Sequence, residues 1–137
     1  MNTDPSLEAR ILRESRTIAV VGLSADPDKP SHEVAAYLQS RGYRIVPVNP
    51  KGGTILGEAV WPDLASIPFP VDVVDVFRPP AACPEVARQA VAIGARFLWL
   101  QLGIVSEEAA RIAREGGLGV VMDRCMLIEH QKCSAAG

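Results

Sequence analysis

Short, almost wholly apolar runs alternate along the chain with stretches whose apolar residues recur at helical spacing. Thr17 to Val21 is β-branched and apolar and ends in Gly22, the pattern of a strand covered on both faces in a parallel sheet. Tyr43 to Val48, Val71 to Phe77, Phe97 to Leu102 and Val120 to Met122 repeat that pattern, and Ile55-Leu56 reads as a short strand, third in chain order. Between them, Ser31 caps a helix that carries Val34, Ala35 and Leu38 to a stop at Gly42. Pro80 to Ile93 forms a second helix ended by Gly94, and Ser106 caps a third with Glu107 and Glu108 in its first turn. Ahead of the first strand, Asp4 caps and Pro5 opens a short helix with Leu7, Ile11 and Leu12 at helical spacing. This alternation predicts an α/β, Rossmann-like, doubly wound parallel sheet in a single-domain three-layer α/β/α sandwich, with strand order 3-2-1-4-5-6. The leading helix takes residues 1–16 of that domain, its body residues 17–130, and 131–137 are expected to fray.

Composition narrows the classes of function. A length of 137 residues, 48% hydrophobic and 22% charged, fits one domain with a real core. Fourteen Lys and Arg against sixteen Asp and Glu give a net charge of −2, without the basic excess of a nucleic-acid binder, so any phosphate site must be local. The apolar runs are far shorter than the roughly 20 residues that span a bilayer. The amino-terminal stretch mixes acidic with basic residues and has no continuous apolar segment, so a signal peptide is not expected and the default compartment is the cytoplasm. Cys83, Cys125 and Cys133 are odd in number and lack CxxC spacing, which points to reduced thiols rather than a disulfide framework or a zinc cage.

In such a sheet a ligand lies beyond the carboxyl ends of the strands at the switch point, here between the strand ending at Val21 and the strand ending at Phe77. The first loop begins Gly22, Leu23, Ser24 and runs through Lys29, Pro30, Ser31 and His32 to a helix amino terminus, where free N–H groups and the helix dipole favour an anion. No glycine stands between Gly22 and Gly42, so the GxGxxG dinucleotide fingerprint is absent. NAD binders usually end the second strand with Asp or Glu, whereas this chain has Asn49, Pro50 and Lys51. An amide and an ammonium suit a phosphorylated ribose, as in NADP or coenzyme A, better than a free diol; taken alone, the same residues also make an ordinary solvated turn. Phe77, Arg78 and Pro79 leave the switch-point strand with an aromatic ring, a cation and a stiff exit, a combination able to hold an adenine face and a phosphate.

Other candidates for chemistry read less sharply. Asp72 and Asp75 face opposite sides of a strand, so they do not form an acid/base pair. Asp123 and Arg124 read as a structural salt link. Cys125 beside Arg124 is either a thiolate able to exchange with a ligand thiol or a half-buried inert thiol. His32 and His130 are expected in solvent-exposed or capping roles, with His32 near enough to the first loop to touch a phosphate, and Phe97 and Trp99 as packing residues.

Five motifs in order, Ala19-Val20-Val21-Gly22, Val48-Asn49-Pro50-Lys51, Val74-Asp75-Val76-Phe77-Arg78, Leu98-Trp99-Leu100-Gln101-Leu102-Gly103 and Val121-Met122-Asp123-Arg124-Cys125, are similar to those of the small bacterial CoA-binding proteins (CoA-binding domain 2). The similarity spans Ile18 to Glu129 and extends to the N-terminal CoA-binding domain of the succinyl-CoA synthetase alpha subunit. It implies CoA or acyl-CoA as the ligand, with phosphates over Gly22 to Ser24, Lys51 toward the nucleotide end, and Leu100, Gln101 and Leu102 beside the fourth core strand. The synthetase's phosphohistidine and second domain have no counterpart here, and neither His32 nor His130 matches that motif. The expectation is therefore a cytoplasmic, non-catalytic CoA-binding module with no nucleic-acid or membrane partner. An NADP-using oxidoreductase subunit and a regulatory scaffold without a tight ligand are the alternatives.

Overall fold

Strands that are apolar on both faces bury fully only inside a sheet covered on both sides, and the chain builds such a sheet. The computed structural model describes residues 6–136. In chain order the elements are α1 (Leu7–Glu14), β1 (Thr17–Val21), α2 (Pro30–Ser40), β2 (Arg44–Val48), β3 (Thr54–Ile55), β4 (Glu58–Ala59), β5 (Val73–Val76), α3 (Cys83–Ala92), β6 (Phe97–Leu100), α4 (Glu107–Glu115), β7 (Gly119–Val121) and α5 (Met126–Ala136). Five strands pair in the order β2-β1-β5-β6-β7, every pair parallel. Pro47 is tolerated because β2 is an edge strand of this sheet.

Side-chain alternation divides the core into two layers. On one side Ala19, Val46, Val74, Val76, Leu98, Leu100 and Val120 pack with Cys83, Val86, Ala87 and Ala90 of α3 and Ala109, Ala110 and Ala113 of α4. On the other, Ile18, Val20, Ile45, Val73, Trp99 and Val121 pack with Ile11 and Leu12 of α1, Val34, Ala35 and Leu38 of α2, and Met126 of α5. The chain winds outward from β1 to β2 and then, in the opposite direction, from β5 through β6 to β7. Crossovers of one hand taken in two directions place their helices on opposite faces, which is why α2 lies across the sheet from α3 and α4. The reversal leaves adjacent strands β1 and β5 with their following loops turned apart.

The structure differs from the sequence reading in four places. The order lacks a third strand beside β2: Ile55 instead pairs in a two-stranded hairpin, with Leu56 and Gly57 at positive φ in its turn. The space beside β2 is held by a single bridge, in which Trp61 N–H donates to Pro47 O and Asn49 N–H to Trp61 O, both at 2.9 Å. Ser31 is no cap: α2 starts at Pro30 behind Lys29, and Ser31 is buried in the first turn. Asp4 and Pro5 lie outside the described residues, and the side chain that caps α1 is Ser6, accepting from Ala9 N–H. Finally, the chain after β7 is helical through Ala136, with α5 packed on α1 and α2.

Candidate functional site

Ladder geometry carries past the strand ends and fixes the loops at the switch point. Gly22 N–H donates to Val48 O at 3.0 Å and Phe77 N–H to Val21 O at 2.9 Å. Gly22 has φ +88°, and a Cβ there would meet Phe77 O at 2.7 Å and Arg78 Cδ at 3.1 Å. A side chain at this position would therefore push apart the two chains where they leave β1 and β5, before their loops diverge. Asn49 ties the second loop to the first: its Nδ2 donates to Leu23 O at 3.1 Å, and its Oδ1 accepts from Lys51 N–H at 2.9 Å.

These loops enclose a cleft of about 490 Å³ lined by Gly22, Asn49, Pro50, Lys51, Phe77, Arg78 and Pro79 together with Val21, Val48, Pro62, Asp63 and Gln89. Lys51 and Arg78 are both exposed, and neither is in an ion pair among the described residues. The single carboxylate on the wall, Asp63, turns Oδ1 to the N–H and hydroxyl of Ser66, at 2.9 and 2.6 Å. The cleft is thus open, partly apolar and locally cationic in a chain of net negative charge.

Seven of the residues singled out in the sequence meet in this cleft, and the others do not line it. Leu23 is wholly buried under α2. Ser31 Oγ accepts from Ser24 N–H at 3.0 Å, and Ser24 Oγ accepts from Asp26 N–H at 3.0 Å, so these hydroxyls hold the first loop. Lys29 and Pro30 are exposed beyond that loop and His32 is half-buried. The amino terminus of α2 is a poorer anion cradle than expected, because Pro30 has no N–H and that of His32 donates to Lys29 O. Leu100 is core, Leu102 is exposed, and Cys125 sits half-buried just before α5 against the Trp99 side of the core.

Gln101 leads to a feature that sequence pattern missed. Its Nε2 donates to Asp75 Oδ1 at 2.6 Å, and its Oε1 accepts from Met126 N–H at 3.4 Å. Asp75 is 1% exposed, and burial pushes its carboxyl up to about 7 against the opposing pull of the Gln101 amide. Asp72, by contrast, accepts the backbone N–H groups of Arg16 and Thr17 at 2.8 and 3.0 Å. Asp123 and Arg124 form no salt link: Asp123 Oδ1 accepts from Gly103 N–H and Arg124 Nη1 donates to Asp123 O. His130 is neither exposed nor a cap, for its Nδ1 lies 2.8 Å from Tyr37 Oη and its ring packs edge-on against Tyr37 and Tyr43. Burial, with the Arg41 charge, holds its imidazole below the usual range. Cys83 is buried with Sγ toward the carbonyls of Arg78 and Pro79, and burial pushes its thiol up.

A doubly wound α/β domain with a cationic cleft at its switch point belongs to the class that receives small ligands beyond the strand ends. The chain belongs to the CoA binding domain family (CoA_binding_2), whose pattern matches residues 16–131. It is 42% identical over 120 residues to the uncharacterized protein YneT of Bacillus subtilis (strain 168), covering 88% of this chain and 89% of that protein. Over 106 residues it is 28% identical to acetate–CoA ligase (ADP-forming) II of Archaeoglobus fulgidus, covering 76% of this chain and 16% of the ligase. The structure of cell-free ID.343 from Thermus thermophilus superposes with a TM-score of 0.87 at 40% identity, covering 90% of this chain and 94% of that one. The family resemblance carried by the five motifs therefore holds, as does the parallel α/β fold. No helix among the described residues is long and apolar enough to cross a membrane.

Proposed function

We propose that this protein binds coenzyme A, free or as a thioester, in the switch-point cleft, as a cytoplasmic binding module without catalysis of its own. The observation that carries the reading is the placement of Lys51 and Arg78, two cations without ion-pair partners among the described residues, on one cleft beside the close approach of the β1 and β5 loops. CoA presents a phosphorylated ribose, a pyrophosphate and an adenine. Lys51 at the end of β2 suits the ribose phosphate, Arg78 the pyrophosphate, and the Phe77 ring the base. Asn49 acts here as a brace, since its amide oxygen and one amide hydrogen are spent on Lys51 and Leu23. The non-catalytic part rests on the side chains: Asp63 is committed to Ser66, and the perturbed carboxyl of Asp75 is buried outside the cleft lining.

Calorimetric titration tests the assignment. Lys51→Ala should weaken CoA about tenfold or more, the effect of losing a charge-assisted contact, and weaken dephospho-CoA far less; Arg78→Ala should weaken both. Equal loss for the two ligands on Lys51→Ala, or tighter binding of NADP than of CoA by the parent, would remove the reading. Incubation with acetate, CoA and nucleotide should yield no acetyl-CoA. Turnover that scales with protein and disappears in Lys51→Ala would make the chain an enzyme.

A further inference from the structure

We infer that the protein has a second anion site, at the edge of the sheet opposite the switch point, that takes the phosphate group of a small phosphorylated metabolite. A pocket of about 320 Å³ opens there, lined among others by Arg13, Ser15, Arg16, Arg41 and Tyr43. Its size falls in the range of small-molecule sites. Ser15 and Arg16 join α1 to β1, and Arg41 to Tyr43 join α2 to β2. The pocket therefore lies at the amino ends of two strands whose carboxyl ends form the cleft. A five-residue strand separates the two sites by about 16 Å, so this inference stands whether or not the cleft binds CoA.

Charge is the first argument. Arg13, Arg16 and Arg41 are exposed, and none is in an ion pair among the described residues. Both α1 and α2 end at the pocket, and each carboxyl terminus attracts cations with about half a charge. The nearby Asp72 carboxylate is held by the N–H groups of Arg16 and Thr17. Three guanidinium groups exceed what those features neutralise. Arg41 stands 5.1 Å from the Tyr37 ring centroid, and the Tyr43 hydroxyl donates to Leu12 O, so the wall is braced.

Ser15 is the second argument and is independent of charge. It is 4% exposed, and its Oγ is, among the described residues, the single buried side-chain oxygen or nitrogen without a hydrogen-bond partner. Its own N–H is already spent on Ile11 O at 3.0 Å. Buried hydroxyls are nearly always paired; the Ser15 Oγ is covered at the pocket wall, and a rotation of this side chain toward the pocket lets an oxyanion drawn there by the arginines supply the missing acceptor. Phosphate oxygens also match the guanidinium fork, which a halide does not.

Two-dimensional amide NMR with inorganic phosphate, matched in ionic strength by chloride, tests the site on the intact chain. Phosphate should give saturable shifts at Ser15, Arg16, Gly42 and Tyr43 that chloride does not reproduce. Arg41→Gln and Ser15→Ala should each weaken that response about tenfold with little change in thermal midpoint, while Lys51→Ala leaves it intact. Ser15→Ala removes a hydroxyl that bonds nothing among the described residues, and the exposed Arg41→Gln carries the test should the serine variant misfold. Identical shifts with chloride, parent-like phosphate affinity in Arg41→Gln, or disappearance of the shifts in Lys51→Ala would each overturn the site. Failure of CoA to bind the cleft would leave these outcomes unchanged.

Discussion

Asp75 is a carboxyl group in a strand otherwise occupied by valine, and its cost is managed by a partner 26 residues further on. Folding raises its pKa from 3.8 to about 7, so the folded chain keeps a proton that the unfolded chain releases between those values. The stability that depends on the neutral group is complete below pH 3.8 and is lost as pH rises through about 7. Asp75→Asn is neutral throughout, so its urea midpoint should fall less than the parent's between pH 5 and pH 8 (values chosen to bracket the folded pKa). Equal slopes in the two proteins would mean that Asp75 ionises in the folded state as readily as in the unfolded one. Asp75 and Asp72 are engaged separately, on Gln101 and on the N–H groups of Arg16 and Thr17, and form no pair. The depth of Asp75 and its pairing with Gln101 were not legible, because neither residue's neighbours in the chain reveal a contact made across two strands. Lys51, Arg78 and Gly22 were legible, since each adjoins a strand end whose position the fold class already determines.

The five core strands and helices α2 to α4 could be read because each satisfies its own local rule: two-faced apolar runs for strands, helical spacing and glycine stops for helices. α5 breaks that rule. Met126, Leu127 and Ile128 form a continuous run rather than a stripe, and the helix is specified by what it covers: Met126 is fully buried on the Trp99 side, while Tyr37 and Tyr43 receive His130. Met126→Ala should therefore cost about 2–5 kcal/mol, read by urea denaturation, although it lies beyond the last strand. A loss below about 0.5 kcal/mol, the level of an ordinary surface change, would show α5 to be a loosely attached tail. The hairpin was misread for a related reason. Ile55 is buried like a sheet residue, but Leu56 takes positive φ in the turn, a conformation that an apolar side chain gives no reason to expect.

The sheet has two chemically different rims. At the carboxyl ends of β1, β2 and β5 the loops converge on an open cleft carrying Lys51 and Arg78, while at the amino ends of β1 and β2 three arginines and Ser15 line a second pocket. The bridge that replaces the missing third strand links the first rim to an optical property of the whole chain. Of its two tryptophans, Trp99 is wholly enclosed, its indole N–H donating to Arg124 O at 2.9 Å, whereas Trp61 is half-buried on the strap whose next two residues, Pro62 and Asp63, wall the cleft. Emission should accordingly separate into a blue component that acrylamide does not reach and a redder, quenchable one that Trp61→Phe abolishes. A molecule settling into the cleft would press on that strap and shield the quenchable component, so the unlabelled protein announces its own occupancy as a change of colour.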